Sequence, residues 1–274
     1  MLERFSRITT YLFLALAVLF SLFPVYWLIL AGFRHPETVY SDIGLWPARP
    51  SIQNFIRIQT FIDYGTQYKN SLIVAFSVTF ATMVLSTFSA YAIARFDFRG
   101  RKLLTVTMLF SYMFPPLLTL IPLYVYFVHL GIAGTLFSLV LANLAVTMPL
   151  AIWMLWGFFR SMPFQLEEAA MIDGCSRLGA FVRIILPLAR PGLLSVALFS
   201  FLISWNDYTA ASILITEDAN KTLPIGLAQV VANMTGSWGV AMAACASIVA
   251  PLIVVFIFLN RYFIQGLVGS GVKG

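Results

Sequence analysis

The sequence predicts an all-α membrane protein with six transmembrane helices, on three observations. The 274-residue chain is 60% hydrophobic, carries 25 Phe and has only 10% charged residues, whereas soluble domains are about half apolar. Residues 8–33, 70–94, 103–159 and 222–260 contain no Asp, Glu, Lys or Arg. Each run exceeds the roughly 20 helical residues that cross a hydrocarbon core of about 30 Å. The runs are also continuous, where the strands of a membrane barrel would alternate in polarity over short segments.

Taken in order, Arg4 and Arg7 precede the first apolar run, Ile8 to Phe33. A cleaved signal peptide has an apolar region of about 7–15 residues and a small-residue cleavage site. This run is longer and no such site closes it, so it reads as a retained span, about 9–32, with Pro24 as a kink. Residues 34–69 read as an external segment with short amphipathic pieces. The second span, about 70–94, is followed at once by Arg95, Arg99, Arg101 and Lys102. The next apolar region is about twice the length of one span and must fold back. His129-Leu-Gly-Ile-Ala-Gly134 is its natural turn, because two glycines interrupt helical continuity. Spans three and four are then about 103–128 and 135–159, the third bent by Pro115, Pro116 and Pro122. Spans five and six follow at about 191–214 and 239–260, and the whole chain, 1–274, reads as one transmembrane domain.

On this topology 12 of the 17 Lys and Arg fall on the side of the N-terminus, 95–102, 160–190 and the tail, against 5 on the other. Positive charge marks the cytoplasmic side, so both termini and the 160–190 segment are expected there. The same argument accounts for the net charge of +6 without nucleic acid. Cys175 and Cys245 read as small packing residues with no disulfide, and with His35 and His129 they make no metal-ligand cluster.

The polar island EEAAMIDGCSRLGAFVRIILP, Glu167 to Pro187, stands between apolar regions. Ser161-Met-Pro163 suits a helix start, since proline's missing N–H costs nothing in the first turn. Glu167 and Glu168 suit the positive end of the helix dipole. Asp173-Gly174 ends the helix with a left-handed cap. Ser176 caps a second helix, Arg177 to Leu186, that Pro187 stops. Two short helices outside the bilayer result. From residue types alone, a docking surface and a plain solvated loop read equally well.

The spacing adds to this. Glu168-Ala169-Ala170, three residues, Gly174, nine residues, Ile184, one residue and Leu186-Pro187 resembles the EAA motif of permease subunits of binding-protein-dependent ATP-binding-cassette (ABC) importers. NSLIVAFSVTFATMVLSTFSAYAIARFDFRGRK, PLYVYFVHLGIAGTL, PLAIWMLWGFFRSMPFQLEEAAMIDG, ISWNDY and NRYFIQGLVGSGVKG are similar to carbohydrate-uptake permeases of the maltose-transporter type, in particular the smaller permease subunit. The resemblance implies the type I ABC importer permease fold, with a cytoplasmic coupling helix between spans four and five. It implies that Glu167, Glu168, Ala169, Ala170, Asp173, Gly174, Ile184, Leu186 and Pro187 serve ATPase coupling. It implies as partners a second homologous permease in a heterodimer, two cytoplasmic ATPase subunits and an extracytoplasmic solute-binding protein, in a bacterial or archaeal inner membrane. This chain would bind no cofactor itself, ATP and Mg being held by the ATPase subunits. The tail, with Gly266 and Lys273, is a second candidate contact.

Within the spans, Asp207 lies about 24 Å along helix five from Pro191 at 1.5 Å rise per residue. An ionisable group at such depth faces a cavity or a partner. Trp205, Asn206, Asp207 and Tyr208 are candidate sugar contacts, and Asn143 in span four joins them. Helix–helix packing, with Asp207 holding a neighbouring hydroxyl or amide, is the favoured reading. An intramembrane enzyme would need paired carboxylates, a nucleophile set or metal ligands, and the spans offer a single carboxylate. A stand-alone carrier would bury several charges along its path. The chain has no G-x-x-x-x-G-K-[ST] pattern, so it supplies no ATPase. The spans hold no Arg or Lys for a phosphate ligand, which tilts the expected solute to a neutral sugar. Glycerol-phosphate or a polyamine remains the alternative.

Overall fold

A computed structural model of the protein describes residues 2–232 and 238–271, with residues 2–6, 8, 109 and those beyond 258 described by their backbone alone. The described chain is mostly helical. One isolated bridge, Arg34 to Pro50, is its sole β-pairing. In order come α1 (Leu2–Gly32), α2 (Gln53–Ile58), α3 (Tyr64–Arg95), α4 (Arg101–Met113), α5 (Pro116–His129) and α6 (Leu136–Ser161). They are followed by α7 (Gln165–Ile172), α8 (Arg177–Ala180), a π-helical turn Phe181–Ile185 and α9 (Leu186–Leu188). The last are α10 (Arg190–Trp205), α11 (Thr209–Leu214), α12 (Leu223–Ala232) and α13 (Trp238–Gly271).

Among the described residues, four helices are long and apolar enough to cross a membrane, and up to six spans result if each of two bent pairs counts as one. Several boundaries differ from the sequence reading. Helix α3 begins at Tyr64 rather than near 70, because the polar turn YGTQYK continues the helix past the apolar run. The predicted third span is broken at Phe114–Pro115 into α4 and α5, which bend by 100°. Phe114 takes an extended ψ of 133°, as a residue before proline must when helical geometry is closed to it. Helix α1, by contrast, runs through Pro24 without ending. Its side chains from Tyr11 to Phe23 are largely exposed, Phe20 at 82%, and an apolar surface of that length needs lipid around it.

By internal contacts the chain divides into two compact units, Met1–Gly65 with Gly226–Pro251 and Thr66–Ile225 with Leu252–Gly274. In the first unit, Ile58, Ile62, Val230, Val240, Ala241, Ala243 and Ala244 form the core. Arg34 is buried there. Its Nη2 donates to the Gly44 carbonyl at 2.6 Å and its guanidinium lies 4.4 Å from the Trp27 ring centre. The Asn54 amide donates to the carbonyls of Gly32 and Arg34 at 3.0 and 2.7 Å, satisfying backbone groups freed where α1 ends. The segment read as external with short amphipathic pieces is held by buried polar contacts.

In the second unit α3 and α6 meet at a buried hydroxyl pair, Thr82 and Thr147, 2.9 Å apart. Helices α6 and α10 pack closely at Gly192, where a Cβ would fall 2.9 Å from the Phe158 ring. Small residues let membrane helices approach in this way. The 129–134 turn is as expected, with Gly131 and Gly134 at φ of 69° and 79°. Asn70 donates to the carbonyls of Ala219 and Lys221, and Asn220 to that of Gly134, so the 215–222 connection is tied to the start of α3 and to that turn. We expect Gly192→Leu to cost about 1–3 kcal/mol by overpacking the α6–α10 contact, read as a lowered melting temperature of the detergent-purified protein.

Candidate functional site

The polar island folds into two short helices, and each end is set by its own residues. Helix α7 closes with a paired cap. Gly174, at φ 90°, donates its N–H to the Met171 carbonyl, and Cys175 donates to the Ala170 carbonyl at 2.9 Å. This is the left-handed stop that favours glycine. The Ser176 hydroxyl then accepts from the Gly179 N–H at 3.1 Å and caps α8. Two expectations shift. Pro163 sits two residues before α7 rather than in its first turn. Pro187 does not stop the second helix. It occupies the first turn of α9, where no donor is lost, and the chain turns only at Ala189, between segments bent by 72°.

The two faces of α7 differ. Glu168 and Ala169 are exposed and Ile172 is 86% exposed, while Glu167 and Ala170 are buried. Beyond the cap, Asp173 and Gly174 are exposed, as are Leu178 at 65% and Val182. Among the predicted coupling residues, Ile184, Leu186 and Pro187 are half-buried. Gly266 falls in the helical backbone of α13, and Lys273 lies outside the described residues.

Glu167 is the main correction. It was expected to face a partner, yet it is 0% exposed. Its Oε1 accepts from the Arg95 Nε at 2.6 Å and its Oε2 from the Tyr91 hydroxyl at 2.7 Å. Arg95 also donates through Nη2 to the Met162 carbonyl at 3.2 Å. The Tyr91 ring packs 4.3 Å from the Phe181 ring and edge-on to Phe159 and Phe96. In the sequence Arg95 was legible only as one of four basic residues flanking a span. A hint lay in its spacing, since Tyr91 and Arg95 are one helical turn apart and project from the same side of α3. A buried pair of this kind costs about 3–5 kcal/mol when one partner is removed.

The intramembrane cluster divides in two. Helix five is interrupted at 206–208 between α10 and α11, where one continuous span to 214 was expected. Asp207 bridges the gap: its Oδ1 accepts from the Ala210 N–H at 3.0 Å and its Oδ2 from the Asn143 amide at 2.9 Å. The same amide donates to the Leu139 carbonyl at 3.1 Å. This is the packing role favoured from the sequence. Trp205 is buried, stacked at 9° on Phe201 and edge-on to Tyr68. Asn206 and Tyr208 are exposed.

The chain matches known proteins in sequence and in fold. The model of the family described as "binding-protein-dependent transport system inner membrane component" matches residues 83–269. The chain belongs to this family. It is 34% identical to an inner membrane ABC transporter permease protein of Escherichia coli K12, over 98% of this chain and 97% of the relative. It is 32% identical to a trehalose/maltose transport system permease protein of Thermococcus litoralis, over 99% of each. In fold it resembles a chain of a bacterial ABC transporter that imports the acidic polysaccharide alginate, with a TM-score of 0.81, 20% identity and coverage of 95% of this chain and 97% of that one. The chain is thus an inner-membrane transport subunit rather than an enzyme, working with a solute-binding protein and ATPase subunits. Replacing Asn143 with Leu would leave Asp207 without its amide donor. We expect a loss of about 1–3 kcal/mol in thermal unfolding of the purified protein, and a smaller loss for Asp207→Asn, which keeps an acceptor for Ala210.

Proposed function

We propose that this chain is one of two permeases of an ATP-driven importer and forms half of the pathway for a sugar or oligosaccharide. The exposed face of α7 carries the reading. Glu168, Ala169 and Ile172, continued by Leu178 and Val182, present a carboxylate beside an uncovered apolar patch. A helix-binding groove with a basic rim, on an ATPase subunit, is the complementary surface. A count of six spans, with each bent pair as one, and the Lys and Arg bias support a cytoplasmic position for both termini and α7. The chain acts as a single transmembrane domain and pairs with a homologous permease. ATP and Mg stay on the two ATPase subunits. Glu168, Ala169, Asp173 and Gly174 lie at the docking face, with the buried Ala170 and the half-buried Ile184, Leu186 and Pro187 supporting it, and the tail at Gly266 and Lys273 is a second contact. Closure of the ATPases would move α7 and rock the spans between inward- and outward-facing states.

The solute assignment leans on the trehalose/maltose relative and on spans without a cation for phosphate. Since Asp207 and Trp205 are engaged internally, the two exposed residues of that cluster, Tyr208 and Asn206, are the candidates to meet a sugar, Asn206 through its amide oxygen because its amide N–H donates to the Leu202 carbonyl at 2.9 Å. Glu168→Lys combined with Ile172→Asp should abolish ATPase co-purification and solute uptake while the protein still inserts. Retained co-purification would overturn the docking face. Uptake of labelled trehalose or maltose by the complete transporter, compared with glycerol phosphate, tests the solute class.

A further inference from the structure

Helix α7 must be fastened to the membrane body if motion at its exposed face is to reach the spans. Among the described residues, Glu167 is the single α7 side chain that hydrogen-bonds to a membrane-spanning helix, and both of its oxygens go to the last turns of α3. Its partners are one turn apart on that helix. Arg95 is itself buried, at 6% side-chain exposure, and also holds the α6–α7 link through the Met162 carbonyl. Aromatic side chains pack against both partners of Glu167. Phe181 and Phe159 pack on Tyr91, and the Arg95 guanidinium lies 5.6 Å from the Phe164 ring centre. A further cation, Arg177, is held over Phe96 at 4.8 Å rather than on the carboxylate.

From this arrangement we infer that Arg95, Tyr91 and Glu167 form a buried lock that transmits movement of α7 directly to the end of α3, and that Glu167 is a positioning residue with no contact to the ATPase. The inference rests on the docking reading above. A hydrogen-bonded ion pair in a dry aromatic surround has a narrow geometry. It resists sliding far better than the apolar contact of Ala170 alone. A push on the outer face of α7 therefore appears at Tyr91 and Arg95 with little lost to local give. The adjoining π-helical turn, Phe181–Ile185, contributes Phe181 to the same knot, in keeping with the frequent occurrence of such turns at functional sites.

The test uses the complete transporter, purified with its partner subunits and reconstituted with its binding protein. Glu167→Gln preserves shape and removes the charge. Tyr91→Phe removes a single hydroxyl and leaves the ion pair, which guards against a variant that simply fails to fold. The expected result is normal co-purification of the ATPase in both. Binding-protein-stimulated ATP hydrolysis and solute moved per ATP should fall by about tenfold in Glu167→Gln, the scale of one lost charge-assisted hydrogen bond, and by less in Tyr91→Phe. The exchange of Arg95→Glu with Glu167→Arg should recover part of the loss. Unchanged stimulation in both single variants overturns the lock. Loss of ATPase co-purification in Glu167→Gln also overturns it, because the residue would then belong to the docking face. The Glu168→Lys, Ile172→Asp variant, read in the same assay for co-purification, reports separately on the docking reading.

Discussion

Hydrocarbon offers no hydrogen bonds, and nearly every feature of this chain follows from that constraint. A backbone polar group left unpaired in lipid costs several kcal/mol, so a spanning segment must satisfy its N–H and C=O groups within itself. Helices of 31, 32, 26 and 34 residues are the result. The exceptions show the same rule. Where helix five is interrupted at 206–208, Asp207 accepts the Ala210 N–H and is itself held by Asn143. Where α1 ends, Asn54 takes up two carbonyls. Both of these sites carry a replacement donor or acceptor.

Between α6 and α10 the chain keeps its charge. Helix α7 is short, capped by its own glycine and serine signals, and divided into two faces with different tasks. The outer face, with Glu168 and Ile172, is open. The inner face is fastened by Glu167. Adjacent glutamates in the sequence thus have opposite environments, since successive helical residues point about 100° apart. A single buried ion pair then connects α7 to the end of α3. Its aromatic surround excludes the water that would otherwise weaken it.

Much of this was readable in advance for a physical reason. Long charge-free runs, glycines at 131, 134 and 174 and the capping Ser176 act through the local chain, so their effect does not depend on distant partners. The same holds for the EAA spacing, whose helix–turn–helix geometry is local. Bends at proline were legible in kind but not in outcome. Pro24 lies within an unbroken helix, while Phe114–Pro115 separates two helices, because neighbouring contacts decide whether a freed carbonyl finds another partner.

The sequence by itself determined a membrane-spanning helical protein, its turns and its exposed helical pair, because apolar run length and backbone punctuation are properties of contiguous residues. Only the tertiary structure decided that Glu167 faces Arg95 and Tyr91, 72 and 76 positions away, and that Asp207 meets Asn143 rather than an open pathway. Charge alone does not say which of two adjacent carboxylates is buried. That choice is made by the packing of α3 against the α6–α7 link, which brings an arginine from another segment to one of them and leaves the other to solvent.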